Sequence, residues 1–340
     1  MMKSLGLTDR EEPTAELSFD RTVGRGMVHR TALSEVFVTD MRSIDESHYL
    51  AGAQLPLAHS YYSDHRLALR RFDPLLLLEA ARQAAVYGAH RYLDVSLRTA
   101  FLVNTLSMSC DDPGGLAVGP LPGELRIATS YPTVQRRHDR VRSVAVAQRL
   151  HLGGSPIGTV AMEVTAMTPK EHSALRYLQR RDAPPSTGDA DFTAASGAAA
   201  SVAPALVARE NPGNVMLAEP VHSDGVLRAA LSPKLDNSSL FDHSYDHLPA
   251  MVLLECARQL ALIAVDDGTS EVARQTAVSG CSASFLRFVE LDEPVTATTP
   301  ELRDAAASGP LTVPVSFTQA GATVAETTVT LAPATRRQTR

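Results

Sequence analysis

Residues 75–85 read LLLLEAARQAA, and residues 251–261 read MVLLECARQLA. The two stretches share Leu-Leu-Glu-x-Ala-Arg-Gln, so Glu79, Arg82 and Gln83 are matched by Glu255, Arg258 and Gln259. Each run is otherwise apolar on every side, from Leu75 to Val86 and from Met251 to Ile263, as in a helix buried all round. The Glu, Arg and Gln stand at i, i+3 and i+4 and share one helix face. A carboxylate, a guanidinium and an amide taken out of water are costly unless paired. A Glu–Arg couple bonded to itself is the plain reading of one copy. The same three residues kept in two apolar helices point to chemistry.

The copies are too far apart for a solenoid repeat and suit a duplicated domain. Residues 183–211, which begin APPSTGDADFTAASGAAA, are rich in Ala, Ser, Pro and Gly and read as a linker. A short helix from about Lys170 to Arg181 precedes it. The expected organisation is a flexible N-terminus over 1–19, domains over 20–182 and 212–332, and a basic tail over 333–340. Strands are expected at Thr31–Thr39, Leu97–Cys110, Gly123–Ser130, Val141–Leu152 and Ile157–Met167 in the first half. In the second they are expected at Val226–Leu231, Thr276–Phe288, Val295–Thr298, Leu311–Thr318 and Thr323–Leu331. LVNTLSMS (102–109) and AVSGCSAS (277–284) extend the repeat beyond the helix. One long buried helix wrapped by an antiparallel sheet is the hotdog arrangement, an α+β fold. Two copies in one chain predict an internal pseudo-dimer, with sheets joined edge to edge so that an exposed edge of each is covered.

Bulk properties narrow the function classes. The chain has 340 residues, 44% hydrophobic and 21% charged, as in globular proteins, and a formal net charge of -6. An acidic balance disfavours nucleic acid as a partner. No apolar run is long enough for a bilayer, and MMKSLGLTDREEP has no signal-peptide core. The three cysteines, Cys110, Cys256 and Cys281, form no CxxC pair, which suits a reducing cytoplasm. No cofactor motif is present.

A His-bearing loop precedes each apolar helix. His65, in Tyr61-Tyr-Ser-Asp64-His65-Arg66, lies fourteen residues before Glu79. His243, in Phe241-Asp242-His243-Ser-Tyr-Asp246-His247-Leu-Pro249, lies twelve before Glu255. Aspartate beside histidine fixes its tautomer or favours its charged form, which suits an acid or base. The two Asp-His pairs of the second loop also resemble metal ligands, but no third or fourth ligand is evident. Pro74 and Pro249 fall at helix starts, where a missing N–H costs nothing and free amides can polarise a carbonyl or hold an anion.

The fourteen-residue spacing from His65 to Glu79, followed by Gln83, resembles hotdog hydroxyacyl-carrier-protein dehydratases. The doubled LLxExARQ and the DHxxDHxPxM before the second copy are more similar to the A-factor synthase (AfsA-type) family of butyrolactone and furan autoregulator synthases. The likeness spans nearly the whole chain. It implies an acyltransferase passing a 3-oxoacyl group from acyl carrier protein to dihydroxyacetone phosphate, without cofactor or metal. The halves differ: Arg70-Arg71 takes the place of Asp246-His247, and Asp73-Pro74 that of Pro249-Ala250. The dehydratase analogy implies composite sites, His65 facing Glu255 and His243 facing Glu79, with the richer second loop favouring the Glu79 site.

On that resemblance, Glu79, Glu255, His65, His243, Asp246 and His247 are the candidate catalytic residues. Arg82, Gln83, Arg258, Gln259, Arg70 and Arg71, with Arg66 beside them, are the candidate substrate ligands, arginine being suited to phosphate. Arg136-Arg137-His138 and Arg140-Arg142 are candidates for docking the acidic carrier, against the plainer reading of a solvated strand. The alternatives are a dehydratase or thioesterase acting on carrier-bound acyl groups, and a non-catalytic acyl-binding regulator. A monomer and a dimer both fit.

Overall fold

The computed structural model describes residues 16–65, 67–189, 201–266, 269–302 and 310–334. It divides into two compact units, Met1–Leu57 with Leu75–Leu175 and Ala58–Pro74 with Arg176–Arg340. The loop before the first apolar helix is thus part of the second unit.

In the first unit β1 (Val38–Ser43), β2 (His48–Leu55), β3 (Ala100–Cys110), β4 (Gly123–Arg137), β5 (Arg140–Leu152) and β6 (Ser155–Met167) are joined in the order β1-β2-β4-β5-β6-β3. The second holds β7 (Leu217–Ser223), β8 (Val226–Leu231), β9 (Thr276–Phe285), β10 (Val295–Pro300), β11 (Leu311–Gln319) and β12 (Ala322–Pro333), in the order β7-β8-β10-β11-β12-β9. Counted from its own first strand, each sheet has the same topology, and all these pairings are antiparallel. Four hairpins turn through two residues of positive φ: His138-Asp139, Gly153-Gly154, Asp224-Gly225 and Ala320-Gly321. That geometry matches the right-handed twist of the flanking strands.

The duplicated phrase is helical in both units. It lies in α1 (Pro74–Tyr92) and α3 (Ala250–Val265), which flank the short-linker helix α2 (Pro169–Arg180) in sequence. Every α3 side chain from Met251 to Val265 is buried, and α3 packs on β9 to β12. A five-residue helix α4 (Glu271–Gln275) leads into β9. Two side chains tie α1 to its sheet. Tyr131 Oη donates to Ala85 O at 2.8 Å, and the buried Gln148 Nε2 donates to Ala81 O at 2.9 Å. Close approach depends on Gly88, where a Cβ would lie 2.1 Å from Tyr131 Oη.

Three sequence expectations need correction. Thr31–Thr39 is not one strand: Leu33–Glu35 is a 3-10 turn and β1 starts at Val38. The backbone there is bonded by the side chain of Gln83 instead of a neighbouring strand, since Nε2 donates to Glu35 O and Oε1 accepts from Phe37 N. Strands β2 and β7 were not expected. In β2, YLAGAQL is small and buried on both faces, so it lacks alternation. In β7, Pro220 and a mostly exposed face hid a strand, consistent with its place at the end of the strand order. The linker composition also misled: within 201–211, Ser201 bridges Ala218, Pro204–Val207 is a 3-10 helix and Arg209 is fully buried.

Strand β6 passes its neighbour with no room for a side chain at Gly158, where a Cβ would meet Ser109 O at 2.0 Å. Gly158→Ala therefore forces β3 and β6 apart. It should lower stability by about 3 kcal/mol, read as a shift of the urea midpoint at unchanged slope.

Candidate active site

Each buried helix glutamate is the centre of a charge cluster. In the first unit Glu79 is 1% exposed and meets two arginines. Arg82 grips it two-pronged, Nε to Oε2 and Nη2 to Oε1, each at 2.8 Å. Arg30 adds Nη2 to Oε1 at 2.6 Å, and Gln83 Nε2 donates to the same oxygen at 2.7 Å. Burial alone pushes the Glu79 carboxyl upward, but Arg30 and then Arg82 outweigh it and hold it down to about 2. Glu79 is a permanent anion near neutrality, which removes it as a proton acceptor.

In the second unit Glu255 is fully buried. Tyr61 Oη donates to Oε2 at 2.8 Å and Gln259 Nε2 to Oε1 at 2.5 Å. Arg209 Nε reaches Oε1 at 3.2 Å. Arg258 Nη2 and Arg209 Nη2 approach its oxygens at 2.5 and 3.0 Å but off the hydrogen-bond axis, as charge contacts. Here a second acid joins. Asp73 receives Arg258 Nη1 on both oxygens at 3.0 Å, and His65 Nε2 lies 2.9 Å from its Oδ2. Burial opposes ionisation of Asp73, yet Arg258, His65 and Arg209 keep it well below the usual carboxylate range. Burial pushes the His65 imidazole down despite the Asp73 charge. His65 thus meets Asp73, which in turn meets Arg258 beside Glu255.

The expectation that Gln83 and Gln259 hold substrate does not fit their bonding. Each amide nitrogen already gives both hydrogens within the protein, Gln83 to Glu79 and Glu35 O, Gln259 to Glu255 and Asn214 O. Each amide oxygen accepts a backbone N–H, of Phe37 or Met216. These glutamines pin the segment leading into each first strand.

That segment carries the residues that sequence reading missed, Arg30 and Arg209. Each follows a left-handed residue, His29 (φ 53°) or Ala208 (φ 55°), that closes a 3-10 helix, Arg25–Val28 or Pro204–Val207. The signal was present: Val28-His29-Arg30 and Val207-Ala208-Arg209 stand at matching distances before Phe37 and Met216. Arg209 also donates Nη1 to Tyr61 O and Asp64 O and lies over the Tyr61 ring, while Asp64 accepts the Glu210 and Asn211 amides. The loop bearing His65 is thereby clamped.

The second loop holds two Asp-His dyads. His243 Nδ1 is 2.7 Å from Oδ1 of the buried Asp242, with the ring over Tyr245 and 37% of the side chain exposed. His247 Nδ1 is 2.6 Å from Asp246 Oδ1. Burial raises Asp246, but His247 and Arg176 together hold it well below the ordinary range. Arg176 Nε reaches Asp246 Oδ2 at 3.0 Å, and its other nitrogens pair with Glu290. Arg71 is buried and Arg70 exposed; Arg66 lies outside the described residues. Of the basic docking candidates, Arg140 and Arg142 both reach Glu171. Among the described residues no three His, Cys, Asp or Glu are grouped to hold a metal ion, and no helix is long and apolar enough to cross a membrane.

The family model of the A-factor biosynthesis hotdog domain matches residues 12–168 and 190–335. Relatives described as 2-oxo-3-(phosphooxy)propyl 3-oxoalkanoate synthase are similar over most of their length. That of Streptomyces virginiae is 31% identical over 276 residues, 80% of this chain and 85% of its own. That of Streptomyces coelicolor is 28% identical over 321 residues, 90% of each. Among solved structures the chain is similar to a protein described as an oleoyl thioesterase of Lactobacillus plantarum (TM-score 0.49, 12% identity, 85% of this chain and 98% of that one). It is also similar to the dehydratase domain of the CurF module of curacin polyketide synthase (TM-score 0.46, 12% identity, 86% and 96%).

A depressed carboxyl stabilises the fold fully above its ordinary value of 4.5 and loses that contribution as pH falls through about 2. Glu79→Gln leaves Arg30 and Arg82 facing a neutral amide and should cost about 3 kcal/mol at pH 7. The gap from wild type should narrow steadily between pH 4.5 and 2, because in that window Glu79 of the unfolded wild-type chain takes up a proton while the folded one still resists it. Urea titrations at stepped pH measure it; a gap constant with pH would mean that the ionised form of Glu79 is not what stabilises.

Proposed function

The chain belongs to the A-factor biosynthesis hotdog-domain family, and from that premise we propose that it is an acyltransferase. It moves a 3-oxoacyl group from the thioester of an acyl carrier protein to the hydroxyl of dihydroxyacetone phosphate. The product is a 2-oxo-3-(phosphooxy)propyl 3-oxoalkanoate, the precursor of a butyrolactone or furan signal. The observation that carries this reading is the likeness to synthases of that name across 80–90% of this chain. The doubled glutamate–arginine clusters are consistent with a substrate that brings its own negative charge.

Because Glu79 stays ionised, the base is assigned to an imidazole. The buried Asp242 carboxylate beside His243 Nδ1 fixes an Nδ1–H tautomer, leaving Nε2 to accept a proton. In the proposed step the acceptor hydroxyl loses its proton to His243 as its oxygen attacks the thioester carbon. The oxyanion forms and collapses, the C–S bond breaks, and the imidazolium returns the proton to the leaving thiolate. The first turn of α3, entered through Pro249 without a side-chain cap, presents backbone amides suited to the oxyanion. The glutamates hold their arginines in place, and an arginine receives the phosphate.

Purified protein given a 3-oxoacyl carrier and dihydroxyacetone phosphate should release carrier thiol and a phosphorylated ester, both read by mass spectrometry. His243→Gln should lower kcat by about 100-fold or more with KM for the phosphate substrate little changed. Free 3-oxo acid formed at the same rate with or without dihydroxyacetone phosphate would establish a thioesterase in place of the transferase.

A further inference from the structure

The two clusters share their glutamate, both arginines and their glutamine, so the outer nitrogen of the second arginine can be compared directly. In the second unit Arg258 Nη1 is occupied, with both oxygens of Asp73 at 3.0 Å. Asp73 is itself 1% exposed, and Arg258 is 6% exposed. The two carboxylates, Glu255 and Asp73, balance the two guanidiniums, Arg209 and Arg258. In the first unit Arg82 spends Nε and Nη2 on Glu79, and among the described residues Nη1 meets no acceptor. The Arg82 side chain is 23% exposed, so Nη1 is not sealed off. The residue aligned with Asp73 in the second repeat is Pro249, which has no carboxylate.

We propose that Asp73 is a resident anion that closes the Arg258 seat, so that the chain binds one phosphorylated acceptor, through Arg82, and not two. The proposal rests on the acyltransferase reading for the identity of the ligand, a phosphomonoester. Its physical basis is independent. A guanidinium bound on one edge by a carboxylate keeps a second edge of paired donors, the geometry that phosphate oxygens take. At Arg258 that edge is filled by a buried carboxylate held within the same unit, and an incoming phosphate would have to displace it and strand a charge. The duplicated halves are thereby divided in labour, one cluster open to a ligand and the other locked.

The test is calorimetric binding of dihydroxyacetone phosphate to the full chain, without acyl carrier. Wild type should bind one equivalent, and dihydroxyacetone should bind at least tenfold more weakly. Arg82→Gln should lose at least tenfold in affinity. Asp73→Asn should expose Arg258 and raise the stoichiometry to two. Should that variant not fold, labelling wild type with phenylglyoxal gives the same discrimination. Arg82 should be modified and protected by dihydroxyacetone phosphate, and Arg258 should stay unmodified. Two equivalents on wild type, undiminished binding to Arg82→Gln, or protection of Arg258 in place of Arg82 overturns the proposal. Ester formation is assayed separately. Ester made while Arg82→Gln binds normally refutes this inference alone, and single Arg82-dependent binding without ester refutes the transferase alone.

Discussion

A carboxylate inside an all-apolar helix cannot stay charged by itself, and both units are built around meeting that condition. Glu79 and Glu255 are each taken fully out of water, and each is met by two guanidiniums. One comes from the next helical turn. The other arrives from a segment about fifty residues earlier, delivered by a left-handed residue and pinned by a glutamine one turn beyond the glutamate. The glutamate therefore organises the entry strand, the helix and, in the second unit, the His65 loop. Such pairs give little net stability when weighed against apolar packing, but losing one partner is severe. That imbalance makes the cluster rigid.

Rigidity has a chemical consequence. A carboxyl held near 2 by two arginines does not shuttle protons at neutral pH, so Glu79 serves as the fixed counter-charge of its arginines. The proposed mechanism therefore gives proton transfer to imidazole, and the second unit's loop has two imidazoles, each with an aspartate at Nδ1. Arg176 of α2 backs one of those aspartates. The helix that sequence reading placed merely ahead of a linker is thus bound into the second unit by its one buried residue.

Duplication supplied two similar clusters, and a few substitutions made them different. Asp73 against Pro249, Tyr61 on Glu255, and Arg70-Arg71 against Asp246-His247 are all changes in the loops ahead of the helices, while the helix phrase is kept. Buried helix positions tolerate little because each polar group there has several obligatory partners. Loop positions change a partner without unmaking the fold.

Much was legible in the sequence. The all-round apolar phrase fixed two buried helices, its repetition fixed two copies of one domain, and nine of the strands follow from their apolar runs. The Glu and Arg of each phrase also marked where buried charge had to be paired, because their burial demanded an explanation. What the sequence could not decide was who pairs with whom. Arg30 and Arg209 lie in unpatterned stretches, one inside an Ala- and Pro-rich run that reads as linker. Their role depends on a side chain reaching a helix far away in the chain. The bonds of Gln83 and Gln259 to the entry segments, and the seating of Asp73 on Arg258, are likewise long-range contacts. Periodicity records only how a residue sits on its own element; the partner that satisfies a buried charge is chosen when the elements pack.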